Sequence, residues 1–271
     1  MRKLGLAFVF LITACASDSG PAGVEGVSWV QLATPSDGVL RAAYAKPPGP
    51  GPFPAVVFNH GTGVRARGHE GGIARGETDV RRFVRALADA GYVGLAPLRT
   101  VNATSAYPDR GRFAGTEAQW SEVIASGIRT VDAALTWLAG QPEVDRTRLA
   151  AIGFSEGGNV TLWSMLDRSD VRGAVLISPA TIEMAPRYAL REAAAAEAVA
   201  RLRAPVMLTV GDSDLPSIRG VAASRLGPNL TRHEARSRVK LDYPGDHASF
   251  YAPRADHWPD VLDFLRPLLT R

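Results

Sequence analysis

The chain has 271 residues, 46% of them hydrophobic, which is enough to fill the core of one α/β domain. Lys and Arg number 31 against 27 Asp and Glu, giving a net charge of +4; because the arginines are scattered, this charge does not predict a nucleic-acid-binding protein. With a single cysteine, the chain has no internal disulfide.

The first 14 residues have the pattern of a secretory signal. Arg2 and Lys3 precede an apolar run over residues 4–13, which is roughly half the ~20 residues that a transmembrane helix needs. Residues 12–15 (ITAC) resemble the bacterial lipobox, in which the cysteine becomes the lipidated first residue. We therefore expect a lipoprotein anchored through Cys15; ordinary cleavage beside an incidental cysteine is the alternative.

The residues after Cys15 predict a tether and then a folded body. Residues 15–25 are small, polar and interrupted by Gly and Pro, which is typical of a flexible linker. By resemblance to enterobacterial sorting rules, Ala16 favours the outer membrane, on the periplasmic side of the cell envelope. Residues 26–271 are expected to form a single domain.

Short apolar runs alternate with helical patterns from residue 28 onwards. Residues 29–33 and 39–45 flank the turn sequence PSDG, which predicts an antiparallel hairpin. Thr116 and Gln119 have capping-box spacing at the start of a long helical pattern. Continuous apolar runs, typical of strands buried on both faces, lie at residues 55–58, 92–98, 149–154, 173–178, 205–210 and 239–243.

This alternation predicts a mostly parallel sheet with helices on both faces, a doubly wound α/β domain that begins with the hairpin. The helical pattern over residues 78–90 ends at Gly91 and has one apolar face. The Ala-rich piece at residues 191–202, within the 181–203 segment, is either a small cap over the site or a plain crossover helix.

Residues 153–157 (GFSEG) match the nucleophile elbow, a strained strand-to-helix turn that presents a serine hydroxyl. A buried strand pattern precedes Ser155 and a helical pattern follows it, as that turn requires. We expect Ser155 to be a nucleophile; a structural turn serine is the alternative.

An unactivated serine is a poor nucleophile and needs a base held by a third group. His247 follows the last predicted strand, at the sheet edge where such domains place their chemistry, and is the expected base. His257, just before Pro259, is expected to be a capping or surface histidine. The remaining histidines are His60, which ends the first core strand, and His69 and His233, which are expected in polar loops.

The acid is expected after the strand at residues 205–210, where Asp212 and Asp214 stand. We favour Asp214, because Asp212 lies close enough to the strand end to cap the turn. The N–H of Glu156 is one expected oxyanion donor. The second is the N–H of Thr62 in the loop NHGTG, with Gly61 as the alternative.

No metal or other cofactor is expected. His60, His69 and Glu70 lack the helical His-Glu-x-x-His spacing of a zinc hydrolase, and no cysteine is left as a ligand.

Three stretches resemble the dienelactone hydrolase branch of the α/β-hydrolases, which overlaps the prolyl-oligopeptidase-like hydrolases. They are residues 50–57 running into His60 and Gly61, residues 144–158, and residues 246–250. The resemblance implies an α/β-hydrolase fold and a cofactor-free enzyme that forms an acyl-enzyme intermediate. It also implies a triad of Ser155, Asp214 and His247.

The chain departs from that family in its nucleophile. Dienelactone hydrolases carry cysteine where Ser155 stands, so carboxylic ester hydrolysis, rather than lactone hydrolysis, is the expected activity on a small-molecule substrate. Arg99 and Arg110 are candidates by location for gripping a substrate carboxylate, with solvated loop arginines as the alternative. Other functions are a catalytically silent lipoprotein that binds a ligand or partner in the same pocket, or a peptidase or acyltransferase.

Overall fold

The computed structural model describes residues 24–35, 37–99 and 115–270. Residues 1–14, Cys15 and Arg110 lie outside these ranges, so the signal, the lipid anchor and any role of Arg110 stay predictions. The described chain contains one sheet with the order β1-β2-β4-β3-β5-β6-β7-β8. Its strands are β1 (Ser28–Thr34), β2 (Gly38–Ala45), β3 (Phe53–Asn59), β4 (Val93–Pro97), β5 (Val144–Phe154), β6 (Val171–Ile177), β7 (Val206–Gly211) and β8 (Arg238–Tyr243).

Helices connect most of these strands. They are α1 (Thr62–Arg67), α2 (His69–Ile73), α3 (Val80–Asp89), α4 (Glu117–Ala139), α5 (Glu156–Ser164), α6 (Glu192–Ala200), α7 (Pro216–Val221), α8 (Gly227–His233) and α9 (Trp258–Leu269). A π-helical turn (Ala222–Leu226) joins α7 to α8, and a 3₁₀ turn (His247–Phe250) follows β8. None of the described helices is both long and apolar enough to cross a membrane.

The predicted sheet is confirmed. β1 and β2 form the N-terminal hairpin with Thr34 opposite Gly38, and β2 also pairs antiparallel with β4. From β4 through β3 to β8 every pairing is parallel, which places the carboxyl ends of these strands at one edge. Parallel neighbours require crossover connections, and the helices between the strands provide them.

The core has two layers, one on each face of the sheet. Alternate residues of a strand point to opposite faces. In β3, Ala55 and Val57 therefore belong to the layer that contains α4, α5 and α6, whereas Val56 and Phe58 belong to the layer that contains α3 and α9. On the second face the rings of Phe58 and Phe83 stack with centroids 3.9 Å apart.

The helix ends agree with the capping signals. The Thr116 side chain accepts a hydrogen bond from the N–H of Gln119, and the Gln119 side chain accepts one from the N–H of Thr116. Asp79 caps α3, and Gly91 follows that helix with φ +92°, a conformation that glycine adopts without strain. These local interactions define where the crossover helices begin and end.

Two of the predicted loop histidines are in helices instead. His69 begins α2 and is buried, with Nε2 3.1 Å from Asp79 Oδ1, and His233 ends α8. Both predictions of a loop were wrong. Neighbouring arginines made these segments look like loops, and of the two histidines only His69 is buried, whereas His233 is exposed.

Candidate active site

Ser155 stands at the sharp turn between β5 and α5. Its φ of 55° and ψ of −120° are strained for a residue with a side chain, as the elbow pattern requires. The N–H of Ser155 donates to the carbonyl of Ile177 on β6 at 2.9 Å, which holds the turn against the sheet. Glycine is required beside it: a Cβ on Gly157 would lie 2.2 Å from the carbonyl oxygen of Asn59.

The structure brings Ser155, His247 and Asp214 together. His247 Nε2 lies 3.0 Å from Ser155 Oγ, and His247 Nδ1 lies 2.9 Å from Asp214 Oδ1. A carboxylate beside Nδ1 holds the proton on that nitrogen and leaves the lone pair of Nε2 directed at the serine hydroxyl. The ring of Phe154 packs beside His247, with centroids 4.8 Å apart.

Asp214, not Asp212, is the carboxylate beside His247. Its Oδ2 accepts a hydrogen bond from Ser178 Oγ at 2.5 Å, and its Oδ1 accepts one from the N–H of Leu215 at 2.7 Å. Burial alone would raise the pKa of Asp214, but the hydrogen bonds from His247 and Ser178 outweigh burial and lower the pKa below its ordinary value. Asp212 caps the turn instead, accepting from Ser213 Oγ and the N–H of Gly245.

The expected oxyanion donors lie next to Ser155. Thr62 and Glu156 are the first residues of α1 and α5, so their N–H groups have no acceptor within their own helices. Gly61 packs directly on the nucleophile turn, where an added Cβ would approach Ser155 Cβ to 3.1 Å. The loop after β3 therefore packs against the nucleophile turn, and Gly61 and Thr62 line the same cavity as Ser155.

The Glu156 side chain forms a buried ionic cluster beneath the site. Arg65 donates to both carboxylate oxygens, with Nε to Oε1 at 2.7 Å and Nη2 to Oε2 at 2.6 Å. Arg99 Nη1 lies 3.1 Å from Oε1, and Thr62 Oγ1 donates to Oε2 at 3.0 Å. Burial would raise the pKa of Glu156, but the two arginines outweigh it and lower the pKa to about 2.

Arg99 is therefore not a solvated loop arginine. It is 3% exposed, and its guanidinium donates to Glu156 and to the carbonyl of His60. Its backbone N–H donates to His60 Nε2 at 2.9 Å, so the proton of that ring is on Nδ1, which donates to the carbonyl of Gly61 at 2.9 Å. Burial, and to a lesser extent the charge of Arg99, keeps the pKa of His60 well below its ordinary value. His60 is therefore neutral, and its two ring nitrogens hold the loop after β3 through hydrogen bonds.

His257 lies at the start of the last helix, as predicted, but it is buried and not a surface residue. His257 is the N-cap residue of α9, but its side chain makes no capping hydrogen bond. It is 1% exposed and packs edge-on against Phe250, with ring centroids 4.8 Å apart. Tyr243 on β8 and Phe250 in the 3₁₀ turn bury it. The sequence around His257, with Asp256 beside it, does not indicate these contacts.

A cavity of about 400 Å³ opens beside Ser155 and His247. The loop at residues 180–184 forms one wall, whereas no residue of α6 lines the cavity. Within the 181–203 segment, then, the first residues border the site, and α6 is a crossover helix that packs on α8.

Sequence reasoning missed Ser178 and Arg65. Ser178 follows the end of β6, and the same rule that selected residues after other strands could have identified it. Arg65 lies 91 positions from Glu156, and no local pattern links the two.

Known proteins are similar to this chain in sequence pattern and in fold. A model of the dienelactone hydrolase family matches residues 40–268. Solved structures share the fold: a protein assigned as a dienelactone hydrolase from Klebsiella pneumoniae subsp. pneumoniae MGH 78578 is 21% identical, with a TM-score of 0.60 over 90% of this chain and 97% of that one. A dienelactone hydrolase from Anabaena variabilis ATCC 29413 is 18% identical, with a TM-score of 0.60 over 89% and 95%.

A hyperthermophilic esterase from the archaeon Pyrobaculum calidifontis is 15% identical, with a TM-score of 0.59 over 90% of this chain and 85% of that one. No curated protein matches the sequence. At these identities the solved structures show only that the fold is shared. The family model, in contrast, matches the sequence itself over most of the chain.

Proposed function

This chain belongs to the dienelactone hydrolase family, and on that premise we propose that it is a serine hydrolase that cleaves carboxylic esters through an acyl-enzyme intermediate. Ser155 is the nucleophile, His247 the general base and acid, and Asp214 the group that orients the histidine. The observation that supports this assignment is the chain of hydrogen bonds from Ser155 Oγ through His247 to Asp214.

In the proposed reaction Ser155 Oγ attacks the ester carbonyl carbon while its proton passes to His247 Nε2. The N–H groups of Glu156 and of Thr62 or Gly61 stabilise the oxyanion that forms. His247 then gives the proton to the departing alcohol, and the acyl group stays on the serine. A water molecule, deprotonated by His247, attacks this acyl-enzyme, and the carboxylic acid leaves as Ser155 regains its proton.

The test is hydrolysis of 4-nitrophenyl acetate and butyrate by the purified protein and its Ser155→Ala and His247→Ala variants. We expect turnover by wild type and a loss on the order of 10³-fold or more in kcat for each variant. Folded variants with wild-type rates would contradict the assigned roles. A folded wild type without turnover on any ester would favour the silent binding protein instead.

We also propose that the mature protein is attached to the cell envelope through a lipid on Cys15, on the periplasmic side and at the outer membrane. The support is the sequence of residues 1–25 alone. Mass spectrometry of the protein from the membrane fraction tests it: a diacylglyceryl-modified N-terminal Cys15 is the expected mass. Release into the soluble fraction by Cys15→Ala would agree with it, and a soluble, unmodified wild type would contradict it.

A further inference from the structure

The walls of the cavity beside Ser155 are largely apolar. Its volume of about 400 Å³ leaves room for a small ester with one extended substituent. Apolar side chains from several parts of the chain line this cavity together. Besides Phe154 and Tyr251, which pack around His247, they include Val64, Trp120, Ile182, Met184, Leu215 and Ile218.

Each charged side chain described in the lining has an ionic partner of opposite charge in the protein. Arg65 is held by Glu156, and Arg67 by Glu77, each at 2.6 Å. Glu183 lies 3.6 Å from Arg191. A substrate carboxylate would therefore find these cations already committed to protein carboxylates.

Glu77 makes the cavity still less favourable for an anion. Its Oε1 accepts from Arg67, but its Oε2 is buried without a hydrogen-bond partner in the described part of the chain. This oxygen lies against Gly63 at the cavity, where an added Cβ would come within 2.0 Å. A substrate carboxylate entering here would lose its hydration and gain a like-charged neighbour.

The mouth of the cavity exposes two large apolar side chains. Among the described residues, three large hydrophobic side chains are markedly exposed: Val39 at 64%, Met184 at 51% and Leu215 at 52%. Met184 and Leu215 both line the cavity, whereas Val39, on β2, does not. Apolar groups concentrated at a concave site indicate a surface that a ligand covers.

We infer that this site selects uncharged esters whose larger apolar part lies against Met184 and Leu215, and that it discriminates against esters carrying a carboxylate. This inference rests on the proposed hydrolase function. On this inference, the enzyme differs from one that binds its substrate through a contact between an arginine and a substrate carboxylate.

The first test compares two esters of equal length, 4-nitrophenyl hexanoate and the mono-4-nitrophenyl ester of glutaric acid, with the wild-type protein. We expect kcat/KM to favour the neutral ester on the order of 100-fold, because the anion is desolvated without a cationic partner. From acetate to hexanoate, kcat/KM should rise by roughly fourfold for each methylene that the apolar wall covers. Equal or better hydrolysis of the glutarate ester would overturn the inference.

The second test uses Leu215→Ser and Met184→Ser, with Val39→Ser as the matched exposed control. Because all three side chains are exposed, these changes preserve the fold. We expect the two rim variants to lose roughly three- to tenfold in kcat/KM for the hexanoate ester and a smaller factor for acetate. Val39→Ser should match wild type on both esters. Unchanged chain-length preference in both rim variants would overturn the assignment of the rim.

The outcomes separate this inference from the proposed function. If Ser155→Ala abolishes hydrolysis but wild type prefers the anionic ester, the hydrolase assignment stands and the substrate inference is wrong. If wild type hydrolyses none of these esters, both are wrong.

Discussion

Glu156→Gln should destabilise the protein strongly, because it removes the carboxylate that two buried arginines share. Glu156 is 0% exposed and receives Arg65 and Arg99 at distances of 2.6 to 3.1 Å. Glutamine keeps the shape of the side chain and its acceptor oxygen, so the change isolates the charge. The arginines, in contrast, would stay buried and charged.

The magnitude follows from the pKa of Glu156. Lowering it from 4.5 to about 2 corresponds to about 3 kcal/mol in favour of the ionised form in the folded protein. Breaking a buried ion pair by removing one partner costs about 3–5 kcal/mol. Both routes predict a loss of about 3–5 kcal/mol in the free energy of unfolding at pH 7.

The assay is urea unfolding at pH 7 followed by tryptophan fluorescence. The control is Asp167→Asn, which removes a surface pair with Arg201, both of whose side chains are about half exposed. The control should unfold close to wild type, because exposed ion pairs contribute little; asparagine also tolerates the φ of 60° at this position. A loss for Glu156→Gln under about 1 kcal/mol would refute the reasoning.

The stability difference between wild type and Glu156→Gln should depend on pH in a defined direction. A carboxyl whose pKa is lowered by folding stabilises the protein above its unfolded pKa of about 4.5, and this contribution disappears as the pH falls through about 2. The difference between wild type and Glu156→Gln should therefore shrink over that range. The variant should also raise the relative kcat/KM on the glutarate ester by roughly tenfold, since Arg65 loses the carboxylate of Glu156.

Three further predictions concern the site and its turn. Asp214→Asn should lower kcat by about 10⁴-fold and Asp212→Asn by little, since His247 depends on Asp214 for its tautomer; similar losses in an ester assay would contradict this. Ser178→Ala removes one hydrogen bond to Asp214 and should lower kcat/KM roughly tenfold without a large change in KM; a wild-type rate would count against this coupling. Gly157→Ala should destabilise by more than about 3 kcal/mol, whereas Gly220→Ala, whose new Cβ meets nothing within 4 Å, should be neutral or stabilise by up to about 1 kcal/mol; thermal denaturation of both checks this, and equal melting temperatures would oppose it.

Much of the fold could be predicted because its signals are local. The apolar runs of the buried strands, the turn before Gly38 and the capping box at Thr116 each depend on a few neighbouring residues. The order of strands and helices then restricts the topology, because parallel neighbours need crossovers. The match of residues 153–157 to a strand-to-helix turn is local in the same way.

The parts that the sequence left open or that sequence reasoning missed depend on distant contacts. Whether Asp212 or Asp214 faces His247 is decided by how the loop after β7 meets the loop after β8. Arg99 looked solvated because the sequence does not reveal Glu156 beneath it. His257 is buried by aromatic residues of other elements, which its own neighbours do not indicate.

The central claim is that Ser155 is activated by His247. The most direct measurement treats the purified protein with a fluorophosphonate probe at pH 7 and locates the adduct by peptide mass spectrometry, beside folded Ser155→Ala and His247→Ala variants. We predict stoichiometric label on Ser155 in wild type and little or none in either variant. A folded wild type that stays unlabelled, or a label on another serine that survives Ser155→Ala, would contradict the claim.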